Sequence, residues 1–171
     1  MGVEVTGWLA GRRAWIEGEC PAIVAAFETA GAIFVEDGDI DIWVHVAPPP
    51  PLKAAHEISH AEWRASLDAG LDRRFLGARQ FAEQCRARSR VGAILFIGVP
   101  EQGLGADQAA AAGALGNLTK TLGVEWARDG IRVNAVLTRE AGETLGNLAA
   151  YLASDYAAYV TGTVTGIGLE D

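Results

Sequence analysis

The side chains in this chain that could carry chemistry fall at three places. The run HEISH (residues 56–60) sets two histidines four apart with a glutamate after the first. That spacing binds zinc when both histidines share one helix face and the glutamate serves as base. Here Ser59 reads as a helix N-cap, because Glu62 follows at the capping-box distance. His56 then precedes the helix and His60 opens it, so the rings do not share a face and no metal site is expected. The third histidine, His45, lies inside an apolar strand pattern and reads as a tucked-in polar residue. Cys20 stands at a helix start, where a thiol pKa falls, but no base is identifiable beside it.

These residues sit on a regular alternation of elements. RRAWIEG (12–18) reads as a strand ending in a glycine turn, and PAIVAAFETAG (21–31) as a helix with proline at its start and glycine at its end. AIFVED and IDIWVHVA (40–47) read as strands, and the prolines at 48–51 end the second. From Ser59 a helix carries Trp63, Leu67, Leu71, Phe75, Ala78 and Phe81 at helical spacing. GAILFIGV (92–99) suits a strand covered on both faces. A helix near 106–128, the strand IRVNAVL, a helix at 144–154 and a last strand in YVTGTVTGIG complete the chain. Strands alternating with helices predict an α/β fold: a trimmed, Rossmann-like, doubly wound parallel sheet, formed as a single domain over residues 1–171.

Composition narrows the function classes. Half of the 171 residues are apolar and 21% are charged, the balance of a globular chain. The net charge of −8 argues against nucleic acid or an anionic membrane as partner. Two cysteines make no disulfide framework. With no apolar run long enough to span a bilayer and no signal-peptide pattern, a cytoplasmic location is expected.

Several segments, in order, resemble the short-chain dehydrogenase/reductase family. DIWVHVAP, EWRASLDAGLDRRFLGARQ, GAILFIGV, LTKTLGVEWARDGIRVNAV and YLASDYAAYVTGTV cover roughly residues 40–168. The resemblance implies a Rossmann fold and hydride transfer with a nicotinamide cofactor, using a tyrosine, a lysine four residues later, a serine and a helix asparagine. Counted from Leu118-Thr119-Lys120, those positions fall on Gln108, Ala112, Val99 and Gly70. Val99 and Ala112 cannot ionise, and Gln108 has no titratable proton. Lys120 is eight residues past Ala112, about 12 Å along a helix, too far to stand in.

The cofactor turn departs from the family as well. A pyrophosphate needs glycines and free amides at a helix start. The turn GECPAI keeps only Gly18, puts the negative Glu19 beside the site, and loses an amide at Pro21. The segments between AIFVED and DIWVHV, and between VNAV and NLAAYLAS, are short where the family has an adenine pocket and a substrate lid. The expectation is therefore a chain with no catalytic residues and no cofactor, a pseudoenzyme. It keeps the helices and last strand through which family members pair. Its expected role is a non-catalytic subunit in a two-plus-two hetero-oligomer with an active short-chain dehydrogenase subunit. Heteromeric members of that kind include one acting on a hydroxyacyl-CoA in aromatic degradation. Two alternatives stay open: a homo-oligomeric small-ligand-binding protein, or an enzyme with unrelated chemistry using His45, Gln108 or Cys20.

Overall fold

The computed structural model describes residues 6–47, 51–101 and 103–168. In chain order the elements are β1 (Arg13–Glu17), α1 (Pro21–Thr29), β2 (Ile33–Phe34), β3 (Ile42–Val46), α2 (His60–Leu67), a π turn (Asp68–Asp72), α3 (Arg73–Ala87), β4 (Gly92–Gly98), α4 (Ala106–Glu125), β5 (Ile131–Thr138), α5 (Glu143–Ala153) and β6 (Val164–Ile167). All six strands are parallel, in the order β2-β1-β3-β4-β5-β6. The expected doubly wound α/β sheet is therefore what forms. Of the proline run, residues 48–50 lie outside the described residues.

The central strands are apolar at every position because both faces are covered, and successive side chains alternate between two cores. Ile42, Val44, Leu95 and Ile97 face α1 and α5, packing with Phe27, Ile23 and Leu145. Trp43, Ile94 and Phe96 face α3 and α4, packing with Phe81, Leu115 and Trp126. Trp43 is accommodated by Gly77 of α3, where a Cβ would fall 2.3 Å from the indole.

The helix after Ser59 starts as its sequence requires. The Ser59 hydroxyl accepts from the Glu62 amide, and the Glu62 carboxylate accepts from the Ser59 amide at 2.8 Å. The predicted apolar stripe then breaks. The π turn inserts one extra residue, which advances the helical phase by about 100°. Phe75 turns outward, 43% exposed, while Arg74, Ala78, Phe81, Ala82 and Cys85 form the buried stripe. Burial pushes the Cys85 thiol up to about 11, which leaves it protonated and unreactive.

Leu115 is 1% exposed and belongs to the core between α4 and the sheet. Replacing it with aspartate tests the fold, not an interface.

Two buried polar residues of β5 tie the C-terminal segment down. Asn134 donates to the Val160 carbonyl and accepts from the Thr163 amide and hydroxyl. Arg132 carries no carboxylate partner among the described residues; its guanidinium donates to the carbonyls of Leu152, Ala153, Ser154 and Ala157. The Leu152 and Ala153 carbonyls are ones that the end of α5 leaves without intrahelical donors, while those of Ser154 and Ala157 also accept from the amides of Ala157 and Val160. Replacing Arg132 with leucine strips the donors from a buried cluster of carbonyls. The expected cost is about 3–5 kcal/mol in urea denaturation; a loss under about 1 kcal/mol would show that water replaces the guanidinium.

Candidate functional site

The C-terminal ends of β1, β3, β4 and β5 meet where strand order reverses, with β2 on one side of β1 and β3 on the other. Open α/β sheets bind ligands at such a switch point. Two clefts lie there. The smaller, about 50 Å³, is lined by Ser66, Gly70, Arg74, Val99, Gln108, Ala111 and Ala112 among others. All four positions singled out by the family resemblance, Gly70, Val99, Gln108 and Ala112, thus come together around one space. The larger cleft, about 460 Å³, is bounded by Gly18, Glu19 and Cys20 on one side and by Ile97, Val99, Thr138, Arg139, Glu140 and Leu145 on the other.

Sequence reasoning missed Arg74. It is 4% exposed and spans three elements. Its Nε donates to His45 Nδ1 at 3.2 Å, Nη1 to the Gly70 carbonyl at 3.2 Å, and Nη2 to the Ile97 carbonyl at 2.5 Å. The guanidinium also stacks 5.9 Å above the Phe96 ring. No described carboxylate pairs with it. Burial lowers its pKa to about 10, so it stays charged at neutral pH.

His45 is shaped by the same contact. Its pKa falls to about 4 through burial first and the Arg74 charge second. It is neutral at physiological pH, with Nδ1 accepting from Arg74 and the proton assigned to Nε2. A general base must offer a free nitrogen, and Nδ1 is taken. The smaller cleft's inventory is one fixed cation, a serine hydroxyl and a glutamine amide. Such a set can hold and polarise an oxygen.

The other candidates scatter. Cys20 is the buried N-cap of α1 and lines the larger cleft. His56 lies in a 3-10 turn (Ala55–Glu57) and His60 opens α2, so the HEISH histidines occupy different elements. No three histidine, cysteine, aspartate or glutamate side chains gather to hold a metal among the described residues. No helix of the described residues is long and apolar enough to cross a membrane.

Comparison with known proteins decides the family. Residues 19–140 match the family model described as enoyl-(acyl carrier protein) reductase. The chain belongs to the short-chain dehydrogenase/reductase family. It is 32% identical to 3β-hydroxysteroid dehydrogenase 1 of Eggerthella lenta over 85% of its own length and 66% of that protein's. To the L-tagatose-forming galactitol 2-dehydrogenase of Cereibacter sphaeroides it is 32% identical, over 69% of this chain and 47% of that one. The chain thus spans two thirds or less of the curated relatives it matches. A short-chain dehydrogenase/reductase structure from Mycobacterium marinum superposes with a TM-score of 0.86 at 21% identity, over 96% of this chain and 95% of that chain, which shows the shared fold. These relatives correct the expectation that the chain is no enzyme: proteins of this degree of similarity are named dehydrogenases, and the family reading is that of an oxidoreductase.

The family's dinucleotide can be tested against the turn after β1. Gly18 has φ +98°, and a Cβ there would fall 2.1 Å from the Val46 carbonyl oxygen, so the glycine serves the close passage of two chain segments. Pro21 opens α1 without an N–H, and the amides of Ile23 and Val24 both donate to the Cys20 carbonyl. Glu19 is exposed at the mouth of the larger cleft. This turn does not fit a pyrophosphate. Calorimetric titration of the chain alone with NAD or NADP is expected to give no saturable heat up to about 1 mM; micromolar binding would overturn the fit.

His45 makes stability depend on pH. The unfolded histidine takes its proton near 6.5 and the folded one near 4. Between those values the unfolded chain binds more protons, so stability is unchanged above the window and falls as pH drops through it. Across the whole window the loss is about 3 kcal/mol. Urea midpoints measured at pH 7 and 4.5 should converge much more closely in His45→Gln than in the wild type.

Proposed function

We propose that the chain acts in an oxidoreductase on a small hydroxyl- or carbonyl-bearing substrate, as one subunit of an assembly with a full-length short-chain dehydrogenase. The family membership supports the chemistry. The partner is inferred from one observation: α3 presents Phe75 and Leu76 to solvent, 43% and 56% exposed, on the same side of the sheet as α4. The outward positions of α4 are small or polar: Ala109, Ala110, Gly113, Ala114 and Asn117, with Val124 exposed nearer its end. An apolar ridge beside a flat, small-residue helix is suited to close helix–helix packing. Two long helices can supply the roughly 1,600 Å² of a standard interface. In this reading a two-plus-two tetramer satisfies both helix faces.

The test is expression with and without a full-length dehydrogenase of the same source, followed by mass measurement in solution and an activity assay. Phe75→Asp with Leu76→Asp is expected to dissociate the complex and lower its turnover at least tenfold, while both residues' exposure keeps the fold intact. A stable monomer, beside a partner that is tetrameric and fully active without it, would sink the assembly. Turnover by the purified chain alone would confine the chemistry to this subunit.

A further inference from the structure

Arg74 poses a problem that the fold alone does not solve. A buried guanidinium has five N–H donors, and Arg74 places three of them, on His45, Gly70 and Ile97. The other two have no partner among the described residues. No described carboxylate stands beside the positive charge, in a chain whose net charge is −8. Buried charges are ordinarily paired. The guanidinium lines the smaller cleft, whose described lining contains no aspartate or glutamate. Ser66 and Gln108, both buried, line the same space with a hydroxyl and an amide. The π turn helps build it: Gly70 lies in that turn, its carbonyl holds Nη1, and a Cβ at Gly70 would sit 2.9 Å from the Cβ of Ala111. π turns of this kind are frequent at functional sites.

Size and connection narrow the ligand. One water needs about 10–15 Å³ of such volume, so a cavity of about 50 Å³ takes about three to five atoms of that size. A carboxylate fits within it. One fixed cation matches one negative charge. The smaller and larger clefts share Ala47, Gly98 and Val99 in their walls. Beyond them the larger cleft is faced by Val46, Ile97 and Leu145. We propose that the connected clefts bind a monocarboxylate with an apolar body, its carboxylate set against Arg74, Ser66 and Gln108 and its body lying along Val46, Ile97 and Leu145. The proposal concerns binding to this chain alone and stands apart from the assembly reading.

The test follows amide and guanidinium resonances of the 15N-labelled chain during titration with hexanoate, formate and hexanol at constant ionic strength. Hexanoate should shift Gly98, Val99 and the Arg74 Nε–H saturably, and should bind at least tenfold tighter than formate; hexanol should not saturate. Arg74→Met should weaken hexanoate at least tenfold. Because that variant removes three internal hydrogen bonds, Gln108→Glu is the second arm: it puts a carboxylate into the cleft and should weaken hexanoate at least tenfold in a folded chain. The absence of any saturable shift in the wild type, or hexanoate binding unchanged in folded Gln108→Glu, overturns the proposal. Equal affinity for formate and hexanoate overturns the assignment of an apolar body.

Discussion

A single guanidinium holds the functional end of this sheet together. Arg74 joins α3 to the last residues of β3 and β4, and it does so from a buried position. Burying an ion costs several kcal/mol after relaxation, and here carbonyl dipoles and a neutral imidazole offset that cost in place of a carboxylate. Each of those partners is constrained in turn. His45 must stay unprotonated to accept from Nε. The Gly70 carbonyl must be turned inward, which the π turn accomplishes. Ile97 must end β4 with its oxygen on the α3 side. The shape of the smaller cleft follows from these three requirements.

The same constraint explains what was legible in the sequence. The alternation of strands and helices, the Ser59 cap and the parallel order were all readable, because hydrophobic period and capping chemistry are local signals. The convergence of Gly70, Val99, Gln108 and Ala112 was implied by the family resemblance, which places its four site residues at those positions. Arg74 was not. In LDRRFLG it stands beside Arg73, whose side chain is exposed and pairs with Glu17 at 2.5 Å. A signal did exist: Arg74, Ala78, Phe81 and Cys85 have helical spacing and form one face. It was hidden by the stripe running in from Trp63 through Phe75, which the π turn ends. A one-residue insertion inside a helix leaves no mark on composition, yet it rotates every residue after it by about 100° relative to those before it. On a helix as rich in alanine and glycine as α4, the apolar pattern does not distinguish the face toward the sheet from the face toward solvent.

The alanines of α4 now have a physical account. Ala111 and Ala112 lie across the smaller cleft from the Gly70 turn. Larger side chains there would fill the space that the guanidinium faces. Small residues on the opposite side of the helix leave a flat outer surface. The short connections act in the same direction. Residues 35–41 lead from β2 to β3 and residues 139–142 from β5 to α5, without helices of their own. The result is a member of an oxidoreductase family whose ligand-facing end is small, positively charged at its base and open above.

The four carbonyls gathered by Arg132 bear on how the chain reaches its fold. They come from residues 152–157, and the donor is some twenty residues earlier, in β5. Helix α5 can begin by local contacts, but its end cannot be completed until β5 is in place. The strand in turn is held on β4 by parallel pairing, and β4 precedes it by a whole helix. Closure of that crossover must therefore come before the last helix is sealed. Such non-local pairing makes folding slow. Until it happens, the carbonyls at the end of α5 lack their buried donor, although α5 is among the most buried helices of the finished molecule.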